Sequence, residues 1–147
     1  MVKIDYPRHS FRMKEEGAKE FIFDEFRKLW VRLTPEEWVR QNFLQYLVQV
    51  KNYPPSLIAV ETEVRLLELR KRCDILIYRD AQPWMIVECK EMNEKLDDDV
   101  LGQVLRYNIS MPSVFLVITN GSYTNAWHLA NGSAAELSEL PAWEGRA

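Results

Sequence analysis

The chain has 147 residues, a net charge of −3 and 47% hydrophobic residues, a balance typical of one globular domain with its own core. No apolar run approaches the length of a membrane-spanning helix, and the charged N-terminus lacks the apolar stretch of a signal peptide. We therefore expect a cytoplasmic protein that makes no membrane contact. Two cysteines and two histidines are too few for a zinc site. The acidic balance argues mildly against a nucleic-acid partner, although a site for a divalent cation also needs acids.

The first half of the chain is predicted to form a β-hairpin followed by a helix. Residues 21–33 are rich in aromatic and β-branched residues around a polar centre, which predicts a hairpin that turns near residues 25–28. Thr34 is a good N-cap and Pro35 suits the first helical position. Apolar residues then recur at helical spacing until the chain is broken near residues 52–56.

The second half is predicted to alternate strands with one helix. Strands are expected at residues 57–67, 72–79, 83–90, 113–119 and 124–130, with the helix at residues 97–110. This order predicts an α/β fold with a mixed β-sheet flanked by helices and an N-terminal β-hairpin. We expect a single domain over residues 1–147, with a core at about 20–130. The first ten or so residues and the tail after about Asn131 are expected to be loosely ordered.

Two charged residues follow an apolar strand and point to chemistry. Glu88 and Lys90 are two residues apart, so they are expected on one face of their strand. A hairpin with an odd-length loop centred on Ala81 places Asp74 directly opposite Glu88, whereas an even loop breaks this pairing. Two carboxylates that close repel each other unless one is protonated or a cation lies between them. Mg²⁺ is the natural cation for such a pair.

A structural interpretation competes with this one. Arg72 is two residues from Asp74, and Lys90 is two residues from Glu88, so each acid has a neutralising base nearby. We favour a functional site, because three ionisable groups converge on one face beside an apolar strand. An unrelated ligand-binding α/β domain would require Asp74 and Glu88 to lie far apart.

The order Asp, short hairpin, Glu-x-Lys resembles the PD-(D/E)xK nuclease superfamily. More closely, the segments TPEEWVRQ, KRCDILIY, IVECK and QVLRY resemble the N-terminal nuclease domain of the type I restriction enzyme R subunit, over roughly residues 30–125. Cys73 stands where the superfamily has a proline. The resemblance implies a restriction-endonuclease-like fold and Mg²⁺-dependent hydrolysis of DNA phosphodiester bonds, with Mn²⁺ as a substitute.

The resemblance also implies roles for the matching residues. Asp74 and Glu88 are expected to be metal ligands. Glu37, on the first helix, matches the family's helical acid and is expected to contact the metal or its water, with Glu36 as the adjacent candidate. Lys90 is expected to orient the attacking water and to stabilise charge on the phosphate.

Further candidates lie beside this set. Gln103 and Tyr107 match the Gln-x-x-x-Tyr motif of the family and share one helix face, although helix–sheet packing is the alternative for this pair. Arg106 borders the same face and is expected to meet a phosphate. Lys71 and Arg72 belong to a short basic run that either grips phosphates or forms a solvated turn.

Two functions follow from these expectations. The first is a Mg²⁺-dependent endodeoxyribonuclease, and the intact set of Asp74, Glu88 and Lys90 favours it. The alternative is a non-catalytic module on the same fold that binds nucleic acid or protein. The sequence contains no phosphate-binding GxxxxGK[ST] segment, so we expect a motor or specificity subunit to be a separate partner. The missing motor and the acidic balance favour the module.

Overall fold

The computed structural model describes residues 1–66, 69–109 and 111–145. Residue 67, the last of a predicted strand, and residue 110, the last of the predicted second helix, lie outside the described residues. In chain order the described elements are β1 (Met13–Glu16), β2 (Lys19–Asp24), β3 (Leu29–Arg32), α1 (Pro35–Gln49), β4 (Ile58–Leu66), β5 (Leu69–Arg79), β6 (Gln82–Cys89), α2 (Asp98–Asn108), β7 (Phe115–Thr119), β8 (Thr124–Ala130) and β9 (Ser133–Leu137).

These strands form two sheets. Strands β1, β2 and β3 form a small antiparallel sheet that contains the predicted hairpin. The large sheet has the order β4-β5-β6-β7-β8-β9. In it, β6 and β7 are parallel and the other neighbours are antiparallel. The parallel pair needs a crossover connection, and α2 supplies it. The predicted mixed α/β sheet with an N-terminal hairpin is therefore confirmed.

Both helices begin as their sequences indicate. The hydroxyl of Thr34 accepts a hydrogen bond from the Glu37 N–H at 3.0 Å, and Pro35 occupies the first helical position. The carboxylate of Asp97 caps α2 by accepting from the Val100 N–H at 3.0 Å. These caps fix where α1 and α2 start, and so fix which residues each helix presents to the sheet.

The large sheet has an apolar layer on each face. Helix α1 contributes Val39, Phe43 and Leu47 to the layer that also contains Ile75, Ile77 and Val87. Helix α2 packs on the opposite layer through Leu101, Val104 and Leu105 against Leu76, Ile86 and Leu116. The alternation of side chains along β5 and β6 divides these residues between the two layers. Asp74 on β5 and Glu88 on β6 therefore lie in a sheet that has a helix on each face.

Both ends of the chain pack on the domain. Residues after Asn131, expected to be loosely ordered, instead add β9 to the sheet, and Leu140 is buried. The ring of Trp143 lies 5.7 Å from that of Tyr53. At the other end, the Val2 N–H donates to the Thr124 carbonyl at 2.8 Å. In these terminal segments single apolar residues stand among polar ones and form no helical or strand periodicity. The sequence therefore did not predict that the segments are packed on the domain.

The turn between β5 and β6 differs from the predicted odd-length loop. It has two residues, Asp80 and Ala81, with positive φ angles of 50° and 62°. Two-residue turns with positive φ at both positions commonly connect the strands of a hairpin. The register then shifts between Ile77 and Tyr78. Beyond the shift, Ile75 lies opposite Val87, the register that the predicted loop would have produced. A bulge, rather than the loop length, thus brings Asp74 and Glu88 to neighbouring places.

Candidate active site

Strands β5 and β6 separate just beyond their last paired residues. Ile75 and Val87 form the final pair, and Asp74 and Glu88 come next on the two strands. The Cys89 N–H donates to the Oδ2 atom of Asp74 at 2.7 Å, so a side chain replaces the main-chain partner here. Asp74 and Glu88 therefore stand on adjacent strands. An unrelated ligand-binding domain would have required these two residues to lie far apart, and they do not.

The carboxylate of Asp74 is bound by a buried arginine from α1. Arg40, whose side chain is 4% exposed, donates from Nη2 to Asp74 Oδ1 at 2.8 Å. The same nitrogen contacts Glu61 and lies 3.2 Å from Glu36, while Nη1 donates to Glu37 at 2.6 Å. Burial lowers the pKa of Arg40, but the hydrogen bond that Arg40 donates to Asp74 and the charge of Glu37 outweigh this effect, and the pKa is raised. One guanidinium therefore contacts four carboxylates.

The carboxylate of Glu37 is enclosed by donors. Arg27 Nη2 lies 2.9 and 3.0 Å from its two oxygens, and Gln41 Nε2 donates to Oε2 at 3.1 Å. Arg27 and Gln41 also bind the fully buried Asp24, at 2.6 and 2.9 Å. These contacts join the β2–β3 turn to α1. Glu37 is therefore engaged on both oxygens, in addition to its contact with Arg40.

The neighbouring acid, Glu36, is more exposed to solvent than Glu37. Its side chain is 49% exposed. Burial raises its pKa, and the nearby charge of Asp74 raises it further. Around Arg40, the connected carboxylates outnumber the guanidiniums: they are Asp24, Glu36, Glu37, Glu61 and Asp74, against Arg27, Arg40 and Arg72. The network around Arg40 therefore carries a local excess of negative charge.

Glu88 has a different cationic partner. Its carboxylate forms an ion pair with the ammonium group of Lys71, a residue that is 8% exposed. That ammonium group lies 4.7 Å from the ring centroid of Tyr107 on α2. A cavity of about 350 Å³ lies at this point, lined by Lys71, Glu88, Lys90, Gln103, Val104, Tyr107 and Asn108. Five of the predicted site residues therefore meet in one cavity: Lys71, Glu88, Lys90, Gln103 and Tyr107.

Asp74 and Glu88 contact different elements, so the predicted convergence on one face is not what the structure has. Asp74 contacts Arg40 of α1, whereas Glu88 lines the cavity beside α2. Alternation holds along β6, where Met85, Val87 and Cys89 all pack in the α1 layer. Along β5 it breaks at Asp74, because Ile75 packs in the α1 layer and Cys73 in the α2 layer. Among residues 1–66, 69–109 and 111–145, no three His, Cys, Asp or Glu side chains are grouped to hold a metal ion.

The basic residues expected to bind nucleic acid are in varied settings. Arg72 is 74% exposed and donates from Nε to Glu61 at 2.8 Å. Lys71 is buried against Glu88. Arg106 is exposed on α2, with Nη1 close above Gly102. The sequence also suggested that Arg72 neutralises Asp74 and that Lys90 neutralises Glu88. In the structure Arg40 binds Asp74 and Lys71 binds Glu88, while Arg72 binds Glu61.

Sequence reasoning did not find the arginine network. Arg40 is three residues after Glu37 and sits next to Val39 in the buried part of α1. A charge inside a buried helical stripe is a signal for a buried ion pair. The partners themselves gave no local signal, because Asp74 is 34 residues further along the chain.

Substitutions at Tyr107 test the cation–π contact between its ring and the ammonium group of Lys71. Its hydroxyl makes one long hydrogen bond, 3.4 Å to the Arg70 carbonyl. We therefore expect Tyr107→Phe to change the free energy of unfolding by less than about 0.5 kcal/mol. Tyr107→Leu removes the ring over the ammonium group and should cost about 0.5–1 kcal/mol. Urea unfolding measures both, and equal losses would show that the hydroxyl, not the ring, matters.

The large mixed sheet carries Asp74 on β5 and Glu88 on β6, with Lys90 directly after β6 and a helix packed on each face. A model of the family described as type I restriction enzyme R protein N terminus matches residues 35–141. The chain belongs to this family. The match runs from α1 through β9 and leaves out the small β1–β3 sheet. Searches of curated proteins and of solved structures each gave no match. No helix in the described part of the chain is long and apolar enough to cross a bilayer.

Proposed function

We propose that this domain hydrolyses DNA phosphodiester bonds with Mg²⁺ as cofactor, and that Mn²⁺ can replace it. The observation that carries the proposal is the shared cavity of Glu88, Lys90, Gln103 and Tyr107, with Asp74 on the adjacent strand. The family supports it, because its description is that of a restriction enzyme subunit. We further propose DNA and the other subunits of such a complex as partners.

Carboxylate oxygens are the ligands that a hard divalent cation prefers. We propose Asp74 and Glu88 as its ligands, in exchange for their contacts with Arg40 and Lys71. On α1, Glu36 is the more accessible acid, because Glu37 is already held by several donors. When bound, the cation would supply positive charge against the negative charge that develops on the phosphoryl group.

Side chains of the domain itself would bind and position the phosphate. Lys90 brings an ammonium group to the cavity, where it can donate to a phosphate oxygen. Gln103 is exposed on α2 and can donate through its amide. Tyr107 holds Lys71 in place through its ring. Arg106, which is exposed on the same helix, would contact the phosphate backbone.

A binding module without catalysis is the second candidate. Arg40 and Lys71 already neutralise Asp74 and Glu88, so each carboxylate has a protein cation as its partner. A fold that retains DNA or protein binding after losing its metal would keep such ion pairs. The two functions differ in one respect, which is whether the acids exchange these partners for a divalent cation.

Metal removal separates the two functions. We expect the purified protein to nick or cut supercoiled plasmid in Mg²⁺ or Mn²⁺, and to be inactive in EDTA. Isothermal titration with each ion should show binding, which a variant lacking both Asp74 and Glu88 carboxylates should lose. Cleavage that persists in EDTA would contradict the proposal. An absence of both metal binding and cleavage would favour the module.

A further inference from the structure

The small β1–β3 sheet has one face built from cations and aromatic rings, which we name the basic–aromatic face. Cross-strand pairing forms its two rows: Lys14 opposite Phe21 opposite Arg32, and Phe23 opposite Trp30. Arg12 completes the second row, because its carbonyl accepts from the Phe23 N–H at 2.9 Å. Strand alternation places all of these side chains on the same side. The face therefore carries Arg12, Lys14, Phe21, Phe23, Trp30 and Arg32, with the pair Glu16 and Lys19 at its edge beside the β1–β2 turn.

The cations of this face are held over the rings. The Arg12 guanidinium lies 4.5 Å from the Phe23 centroid and 5.5 Å from that of Trp30. The Lys14 ammonium lies 4.7 Å from the Trp30 centroid. Phe23 and Trp30 meet edge to face, with centroids 5.4 Å apart. Such contacts fix the direction of long side chains that would otherwise be free, so the face is ordered before any partner binds.

Charge is segregated between the two faces of this sheet. The opposite face carries Ile22, which is fully buried, and the facing acids Glu15 and Glu20. On the basic–aromatic face, Glu16 lies 3.2 Å from Lys14. The chain as a whole is acidic, with a net charge of −3. A local surplus of cations on an acidic chain is complementary to a polyanion.

We propose that the basic–aromatic face binds single-stranded DNA. Arg12, Lys14 and Arg32 would contact phosphates, and the ring of Trp30, with its neighbouring rings, would stack against bases. The alternation of cations and rings favours a single strand over a duplex, because the bases of a duplex are already stacked on one another. The sheet lies outside residues 35–141, so the family match carries no information about it.

The face has a fixed position relative to the candidate active site. Arg27, in the turn between β2 and β3, donates to Glu37 of α1 at 2.9 Å. Arg40 of the same helix donates to Asp74. A strand held on the small sheet would therefore keep a constant distance from the cavity that contains Glu88. Binding does not require cleavage and can be measured without a metal.

Fluorescence anisotropy of a labelled oligothymidylate, with the full chain in EDTA at low salt, tests the proposal. Lys14→Glu/Arg32→Glu is expected to weaken binding about tenfold or more. Trp30→Leu should weaken it about tenfold, whereas Trp30→Phe, which keeps a ring, should bind nearly as the unchanged chain does. The matched control is Lys3→Glu/Lys95→Glu, which alters two exposed lysines by the same total charge and should retain binding.

Several results would overturn the proposal. Equal weakening by the control pair would mean that net charge alone governs binding. Equal affinity for an abasic oligomer would exclude stacking, and tighter binding to RNA, to duplex DNA or to anionic vesicles would assign the face to that partner instead. Thermal melting shows which variants are folded, and Trp30→Phe tests the ring if Trp30→Leu unfolds. Binding is measured in EDTA, where no cleavage is expected, so a failed cleavage assay leaves this test intact.

Discussion

Replacing Glu88 by glutamine is expected to slow plasmid cleavage by about a thousandfold, on the order of 4 kcal/mol in activation free energy. The change keeps the size of the side chain and an oxygen that can accept from Lys71, but it removes the charge proposed to bind the cation. Lys90→Ala should cause a loss of similar order, because it removes the ammonium group from the cavity. Initial nicking rates in Mg²⁺ at saturating protein measure both effects.

Glu88→Gln has a second consequence that must be separated from catalysis. Lys71 is nearly buried and loses its anionic partner, so the variant should also melt at a lower temperature. The double variant Lys71→Gln/Glu88→Gln removes both charges and should recover much of that stability while remaining inactive. Glu91→Gln, at a nearby exposed position, is the matched control and should cleave normally. Full activity in a folded Glu88→Gln variant would refute the catalytic role.

Replacing Arg40 by methionine is expected to lower the free energy of unfolding by about 3–5 kcal/mol. Arg40 is 4% exposed and is shared by the carboxylates of Glu36, Glu37, Glu61 and Asp74. Its removal leaves four acids, of which Glu37 is buried, without their common cation. Urea denaturation at neutral pH measures the loss, and a smaller m-value would show that the native or denatured state had also changed.

Arg72→Met is the matched control for Arg40→Met. Arg72 also binds Glu61, but its side chain is 74% exposed, so we expect a loss of less than about 1 kcal/mol. A cation that replaces Arg40 among the carboxylates should stabilise the folded state by mass action. Millimolar Mg²⁺ should therefore raise the melting temperature of Arg40→Met more than that of the unchanged chain. If Arg40→Met and Arg72→Met were equally mild, the network would not be what anchors Asp74.

Much of the fold could be predicted because it depends on local patterns. The Thr34 cap and Pro35 indicated where α1 begins, and alternating apolar residues indicated the strands of the large sheet. The expected opposition of Asp74 and Glu88 also agrees with the observed register, although a bulge at Ile77/Tyr78 produced it. Strands β1 and β9 were not predicted, because both are short and half polar, as edge strands often are.

The sequence by itself determined the class of fold, the helix starts and the presence of Asp74, Glu88 and Lys90 on, or directly after, two adjacent strands. Periodicity and capping are properties of neighbouring residues, so they can be recognised without coordinates. The tertiary structure alone decided that Arg40 binds Asp74 and that Lys71 binds Glu88. A buried charge takes the partner that packing brings to it, and that partner can come from any distance along the chain.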